Sequence, residues 1–171
     1  MNKESGERSV EDWSSLVGGY LLQTESGDED ALNEALLLTE DFVAAHPDSP
    51  QAWMNRGLAL WWAGKTGAID AFLEGERSSG ELDGACHHCC LYHLGRIALG
   101  DGDVEEAVIY LRKAHEKDPS HLLTLHDLGV AEARRGKSKE GKRLLQMVLE
   151  ADPDFPGAAK NLQVLLFGEG S

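Results

Sequence analysis

The sequence is short of basic residues and long apolar runs, and each shortage excludes a class of protein. Sixteen Lys and Arg stand against 30 Asp and Glu, which gives 171 residues a formal net charge of −14. Duplex nucleic-acid binders need clustered cations over one face, so this balance excludes them and disfavours an anionic membrane surface. The longest apolar stretch, residues 58–63, is far too short to span a bilayer. We expect no membrane insertion.

Cysteine and targeting signals are equally scarce. Residues 1–12 are polar and hold no apolar segment of the kind that signal peptides carry, so we expect a cytoplasmic protein. The three cysteines, Cys86, Cys89 and Cys90, fall within five residues. Neighbouring Cα atoms lie about 3.8 Å apart, too close for an unstrained disulfide between Cys89 and Cys90. Reduced thiols are therefore expected.

The charge is distributed unevenly along the chain. Residues 1–49 carry 12 acids and 2 bases, whereas residues 122–171 carry 7 of each. The last third contains a cluster of six cations: Arg134, Arg135, Lys137, Lys139, Lys142 and Arg143. This uneven charge distribution predicts that the protein orients a partner electrostatically, or that copies of the chain associate through the acidic amino-terminal and basic carboxy-terminal ends. Solvated helix faces are the plain alternative.

An internal repeat of 34 residues organises the chain. The positions that recur are apolar, small or proline: Leu91, Leu94, Gly95, Ala98, Gly102, Ala107, Leu111, Ala114 and Pro119. Their counterparts 34 residues later are Leu125, Leu128, Gly129, Glu132, Gly136, Gly141, Leu145, Val148 and Pro153. Upstream, the same scheme is seen at Trp53, Gly57, Gly64, Ala68 and Phe72, followed by an insertion around residues 78–84. A repeat of this period is typical of a stacked helical array.

Each repeat has the pattern of a helix hairpin. Apolar residues at i, i+3, i+4 and i+7 predict a first helix, a glycine ends it, and a second helix runs to a proline. The recurring Gly57, Gly95 and Gly129 predict a close approach of the two helices. We further predict helices over residues 10–23 and 29–45 and a last helix over residues 156–167. The first helix of the repeat over residues 88–121 is predicted to begin near His88.

These residues resemble the tetratricopeptide repeat, whose signature is W-x2-L-G-x2-Y, then A-x3-F, then P. Trp53 and Gly57 match its opening, and Ala107 and Pro119 match its second helix and its end. The departures are Arg56 for Leu, Gly141 for Ala, and Leu60, Ala98 and Glu132 for Tyr. The resemblance implies an all-α fold, a right-handed superhelix (α-solenoid) of helix-turn-helix hairpins with a carboxy-terminal capping helix.

The repeat also implies a domain organisation. We expect a disordered tail over residues 1–9, a single domain over residues 10–167 and a second tail over residues 168–171. The domain would comprise a divergent first repeat (10–49), three repeats (50–87, 88–121 and 122–155) and the capping helix (156–167).

In this family, the first helices of the repeats line a concave groove that contacts a partner. The resemblance implies a lining of Gln51, Met54, Asn55, Leu58, Trp61, Trp62, Cys89, Tyr92, His93, Arg96, Leu123, His126, Asp127, Val130 and Arg134. Lys160, Asn161 and Val164 would extend it. Aromatic and Arg anchors carry most interface energy, which favours Tyr92, Arg96, Arg134 and one of the two tryptophans. Each Trp could instead pack between hairpins. The carboxylate clamp of chaperone adaptors does not fit, because Cys89 and His93 occupy its Lys and Arg positions.

One cluster could carry chemistry of its own. In a helix, Cys86 with Cys90 and Cys89 with His93 would form i, i+4 pairs of metal ligands. A structural site needs four converging ligands, and these pairs lie on adjoining faces, so we favour Cys90 as a buried packing residue. Hydrolase, metalloprotease and P-loop motifs are absent, so we expect no enzyme and no cofactor.

The sequence therefore predicts a non-enzymatic adaptor that binds a peptide or helix of a partner protein in its concave groove. Two other interpretations stay open. One is a specialised chaperone for a secreted or assembling client. The other is a metal- or redox-responsive regulator that uses the cluster from Cys86 to His93.

Overall fold

A computed structural model of the chain describes residues 8–24, 28–79 and 85–167. Within these ranges the protein consists of nine α-helices and no strand. The helices are α1 (Val10–Thr24), α2 (Glu29–Ala45), α3 (Pro50–Trp62), α4 (Ala68–Ser79), α5 (Ala85–Asp101), α6 (Val104–Lys117), α7 (Leu122–Arg134), α8 (Ser138–Ala151) and α9 (Ala158–Phe167). Nearly all of the tail predicted over residues 1–9, and the whole of 168–171, lie outside the described residues.

Local signals in the sequence explain where α2 and α3 begin. The Asp28 side chain caps α2 by accepting a hydrogen bond from the Ala31 amide at 3.0 Å. Ser49 caps α3 in the same way, and Pro50 occupies the first turn, where a missing N–H does no harm. The observed bounds of α2 agree with the predicted helix over residues 29–45.

Glycines in the left-handed backbone region end the first helix of three hairpins. Gly64, Gly102 and Gly136 have φ angles of 60°, 89° and 87°. This conformation is strained for residues with a Cβ atom, so glycine suits these turns. The turns join α3 to α4, α5 to α6 and α7 to α8, at the positions that the repeat predicts.

Two helix starts differ from the prediction. Helix α5 begins at Ala85, three residues before His88, because no proline or glycine interrupts the segment between them. The capping helix α9 begins at Ala158, two residues after the predicted start at residue 156. Here Gly157 takes a φ of 81° and forms a turn before the helix.

The chain divides into two compact units within α5, between Cys90 and Leu91. Each unit has its own core. In the first unit Trp13, Phe42 and Ala52 form a cluster that joins α1, α2 and α3. In the second unit the core includes Leu91, Leu111, Leu128 and Val148, from α5 to α8, and Ala158 of α9.

The recurring glycines of the first helices allow close helix packing, as predicted. A Cβ atom built on Gly57 would lie 2.6 Å from the Phe72 ring, and one on Gly95 would lie 2.6 Å from Leu111 Cγ. The corresponding distance from Gly129 to Leu145 Cγ is 3.1 Å. Each glycine thus accommodates a large side chain of the second helix in its own hairpin.

Gly57→Ala should lower the free energy of unfolding by about 2 kcal/mol, because overpacking against the rigid Phe72 ring exceeds the gain in helix propensity of about 1 kcal/mol. Chemical denaturation followed by circular dichroism measures this change. Gly19→Ala is the matched control, since nothing lies within 4 Å of its added Cβ in α1. The control should stabilise the protein slightly. A double variant with Phe72→Leu should lose less than the sum of the single losses, and strict additivity would contradict the proposed clash.

Arg56 and Glu132 stand where the repeat signature has other residue types, and both form hydrogen bonds to a neighbouring helix. Arg56 of α3 donates to the Leu36 carbonyl oxygen at 2.7 Å and to Thr39 Oγ1 at 3.3 Å, both on α2. Glu132 of α7 is fully buried. Its carboxylate accepts hydrogen bonds from Arg135 at 2.6 and 3.0 Å and from Arg112 of α6. Both residues tie a first helix to the helix that precedes it.

Candidate partner-binding groove

An open groove of about 590 Å³ lies in the second unit between α5, α7 and the segment that enters α9. Its lining combines polar, charged and apolar side chains. The lining residues are Tyr92, Arg96, Leu99, Gly100, Leu123, His126, Asp127, Val130, Arg134, Phe155, Pro156 and Asn161.

A chain of polar contacts runs across the groove and joins three helices. Arg96 Nε of α5 lies 3.8 Å from Asp127 Oδ2 of α7. The other oxygen of Asp127 lies 2.8 Å from His126 Nδ1, and His126 Nε2 lies 3.0 Å from Asn161 Nδ2 of α9. A carboxylate can only accept, so His126 carries its proton on Nδ1 and accepts from Asn161 at Nε2. These contacts orient the imidazole and the Asp127 carboxylate.

Tyr92 and Arg96 form one end of this polar chain. The Arg96 guanidinium carbon lies 5.6 Å from the centre of the Tyr92 ring, within the range of a cation–π contact. Burial, and after it the carboxylate of Asp127, raises the pKa of Tyr92, while Arg96 acts in the opposite direction. The Tyr92 hydroxyl therefore stays protonated at neutral pH.

Apolar side chains from α5, α7 and the segment before α9 complete the lining. Leu123 is about half exposed, and the Phe155 ring packs against the His126 ring with a centroid distance of 5.3 Å. Arg134 reaches across from α7 and donates from Nη1 to the Leu99 carbonyl oxygen at 3.2 Å. The lining of the groove thus combines apolar side chains with the guanidinium groups of Arg96 and Arg134.

A smaller cavity of about 260 Å³ continues the groove along α9. It shares Val130, Arg134 and Asn161 with the groove. Its four other lining residues are all apolar: Ala133, Leu145, Val164 and Leu165. The surface that could contact a partner therefore extends from α5 to the last helix.

The structure brings most of the second-unit residues predicted for the groove together. They are Tyr92, Arg96, Leu123, His126, Asp127, Val130, Arg134 and Asn161. Sequence reasoning missed Leu99, Gly100, Phe155 and Pro156. Phe155 and Pro156 precede α9. The sequence feature that could have indicated them is an aromatic residue in the turn between two helices.

His93 lies beside the groove but does not line it. Its ring packs against Tyr92 with a centroid distance of 5.1 Å. Burial, and after it the charges of Arg96 and His121, lowers the pKa of His93 to about 4. The imidazole is therefore neutral at physiological pH and cannot act there as a cation for a carboxylate ligand.

The predicted residues of the first unit occupy several environments. Asn55 is buried, and its amide donates to the Gln51 carbonyl oxygen at 2.8 Å and to Ser14 Oγ of α1 at 3.3 Å. It therefore contributes to the contact between α1 and α3. Trp61 and Trp62 are both partly exposed, with their rings edge to face at 6.1 Å. Met54 and Leu58 are half-buried.

The Cys/His cluster includes a contact between two neighbours in the sequence. Cys89 Sγ lies 3.4 Å from His88 Nε2, and Cys90 is completely buried. Neither Cys89 nor Cys90 is joined in a disulfide bond. The side chain of Cys86 lies outside the described residues. Among the residues that are described, no three His, Cys, Asp or Glu side chains converge as metal ligands would.

Family models decide the classification of the chain. Two models of the tetratricopeptide repeat match it, over residues 30–80 and over residues 98–166. The chain belongs to the tetratricopeptide-repeat (TPR) family. The predicted all-α solenoid of helix hairpins is thereby confirmed as its fold class, and TPR proteins are in general non-catalytic interaction modules. In the described part of this TPR protein, no helix combines the length and apolarity needed to cross a bilayer.

Known proteins resemble this TPR protein at low identity. Human Superkiller complex protein 3 is 27% identical over 128 residues, which make up 75% of this chain but 8% of that protein. The structure of Pseudomonas aeruginosa PilF superimposes with a TM-score of 0.78 at 17% identity, covering 94% of this chain and 68% of PilF. YrrB, known as a TPR protein with an unusual peptide-binding site, gives 0.69 at 20% identity, covering 98% and 80%. The structural likeness concerns the fold alone.

Proposed function

We propose that this TPR protein is an adaptor that binds a segment of another protein in the groove of its second unit. The observation that carries the proposal is the combination of the polar chain from Arg96 to Asn161 with apolar walls in one open groove. Peptide-binding surfaces pair a few orienting polar groups with apolar pockets in this way. The reported peptide-binding site of the structural neighbour YrrB is consistent with such a role.

The groove chemistry indicates what the segment contains. An apolar side chain of the segment would contact Leu123, Val130 or Phe155, which line the groove. A carboxylate next to it would lie near the guanidinium groups of Arg96 and Arg134, which form charge-assisted hydrogen bonds. The preferred ligand is therefore a short segment in which an apolar residue neighbours an acidic one.

The proposed adaptor acts without catalysis and in a reducing compartment such as the cytoplasm, which is consistent with the absence of a disulfide bond at Cys89 and Cys90. Trp61 and Trp62 of the first unit stay candidate anchors for a partner. A chaperone role would need the same groove to hold an aggregation-prone client, so groove variants should also remove that activity.

Selection of peptides from a random displayed library tests the proposal without knowledge of the natural partner. We expect enriched peptides to pair an apolar with an acidic residue. Arg96→Ala and Leu123→Ala should each weaken binding of such a peptide by roughly 30-fold, which corresponds to ~2 kcal/mol for an interface anchor. Fluorescence anisotropy with a labelled peptide measures the affinity.

Arg143→Ala is the matched control, because Arg143 is exposed on α8 and does not line the groove. Its affinity for the selected peptides should equal that of the wild type. Peptides that bind the Arg96→Ala and Leu123→Ala variants as tightly as the wild type would place the binding site elsewhere.

A further inference from the structure

We propose that chains of this protein associate head to tail, with an acidic face of α2 on one chain docking against a basic face of α8 on the next. The acidic α2 face consists of Asp30, Glu34, Leu37, Glu40 and Asp41. The basic α8 face consists of Lys137, Lys139, Arg143 and Met147. The occupant of each face is thus a second copy of this chain.

The acidic α2 face is a continuous, exposed strip with an apolar centre. Its residues follow spacings of three, four and seven, which place them on one side of a helix. Leu37 is 61% exposed, and the four acids around it are exposed as well. Helix α2 contains no basic residue, although Arg56 of α3 lies 3.6 Å from Glu40. The strip therefore keeps a strong negative charge around a solvent-facing leucine.

The basic α8 face has the opposite charge and a similar apolar centre. Lys139, Arg143 and Met147 follow one another at intervals of four, so they share one side of the helix. Met147 is 37% exposed, and its sulfur accepts a hydrogen bond from Arg143 at 3.1 Å. Glu140 pairs with Arg143 at 2.7 Å and offsets its charge. Lys137 and Lys139 are exposed next to this pair.

The position of these lysines conflicts with local helix stability. Lys137 is the N-cap of α8 and makes no side-chain capping bond, and Lys139 lies in the first turn. The amino end of a helix favours anions, as at Asp28 and Glu29 of α2. Cations at this place destabilise the isolated chain, and an approaching acidic face would relieve that repulsion.

A second copy is the partner that satisfies both faces at once. Every chain carries one face of each sign, so the two are present in equal amounts, and Leu37 would meet Met147 between opposite charges. The charge of the chain is also divided accordingly, with 17 acids and 5 bases in residues 1–90 but 13 and 11 in residues 91–171. Such a contact joins two different patches and is heterologous, so it propagates from chain to chain.

Light scattering on the full chain at increasing protein concentration tests the proposal. In about 0.1 M NaCl, where charges further apart than about 10 Å are screened, contact pairs persist while the net repulsion between chains is weakened. We expect a mass that rises above the 18.6 kDa of one chain. It should return to the single-chain mass in about 1 M NaCl, where the screening length is about 3 Å.

A charge swap identifies the faces. Glu34→Lys with Asp41→Lys leaves two acids and two lysines on the α2 face and so cancels its charge, and Lys137→Glu with Lys139→Glu makes the α8 face acidic like the α2 face. Each variant alone should remain a single chain, whereas an equal mixture of the two should associate again. The α8 variant places acids at a helix amino end, so it should be at least as stable as the wild type, and its loss of association cannot come from unfolding.

Asp70→Lys with Glu116→Lys changes the net charge as much as the α2 variant, but on α4 and α6. This control should associate like the wild type or more strongly. A wild type that stays at the mass of one chain would overturn the proposal and leave the basic face to another acidic protein. Failure of the mixed variants to associate would equally overturn it.

Discussion

Glu132→Ala is expected to lower the free energy of unfolding by about 3 kcal/mol, the lower end for breaking a buried ion pair. The carboxylate is fully buried on α7 between Arg112 and Arg135. Its removal leaves two guanidinium groups together without their common acceptor. Arg112 is half exposed and can turn to water, so the loss should not reach the upper end of the range. Chemical denaturation measures the loss, and hydrogen exchange should localise it to residues 91–167.

The same residue should make stability depend on pH. Burial alone would raise the pKa of Glu132, but hydrogen bonds from Arg135 and Arg112 outweigh it and hold the pKa below its usual value. A lowered pKa in the folded state means that the carboxylate stabilises the fold above the ordinary glutamate pKa of about 4.3. This contribution decreases as the pH falls below that value, and is lost once the folded-state carboxylate is protonated. Glu132→Gln should remove this part of the pH dependence.

Glu105 provides the control for this cluster, since it pairs with Arg135 at 3.2 Å but is exposed. Glu105→Ala should change the free energy of unfolding by no more than about 1 kcal/mol, as is usual for surface ion pairs. Equal losses from Glu105→Ala and Glu132→Ala would show that burial does not govern the effect.

Phe42→Ala should lower the free energy of unfolding by about 4 kcal/mol, within the range for truncating a buried phenylalanine. The Phe42 ring is fully buried and stacks on Trp13 with a centroid distance of 5.6 Å and an interplanar angle of 8°. Its loss leaves a cavity in the cluster that joins α1, α2 and α3. Denaturation followed by circular dichroism gives the total, and faster amide exchange is expected in these three helices.

Phe167→Ala is the matched control for this substitution, because Phe167 is largely exposed at the end of α9. It should change stability by no more than about 0.5 kcal/mol. Phe42→Leu should recover more than half of the loss caused by alanine, since it fills part of the cavity. A large effect at Phe167 and a small one at Phe42 would contradict the assignment of the core.

The positions of the hairpins follow from local rules that the sequence exposes directly. Helical periodicity, capping at Asp28 and Ser49, and the turn glycines act over a few residues. The start of α5 was the exception, since the sequence predicted it near His88 and the helix begins at Ala85. The predicted division into repeats and the single domain over residues 10–167 stay predictions.

The groove could be predicted where its residues lie on regular helices and not where they lie at helix ends. Tyr92, Arg96 and Val130 follow the helical period, whereas Phe155 and Pro156 belong to a turn that no period describes. The resemblance to the family also placed Asn55 in the groove lining, on one side of α3, and this stays a prediction. The structure brings the Ser14 side chain of α1 within hydrogen-bonding distance of that side.

By itself, the sequence determined the TPR family, the helix hairpins, the close approach at Gly57 and Gly95, and the charge polarity of the chain. The tertiary structure alone decided the link from Asp127 through His126 to Asn161, and the burial of Glu132 between two arginines. The reason is one of range. His126 and Asn161 are 35 residues apart, and Arg112 and Glu132 are 20 apart, so their contacts depend on how separate helices pack.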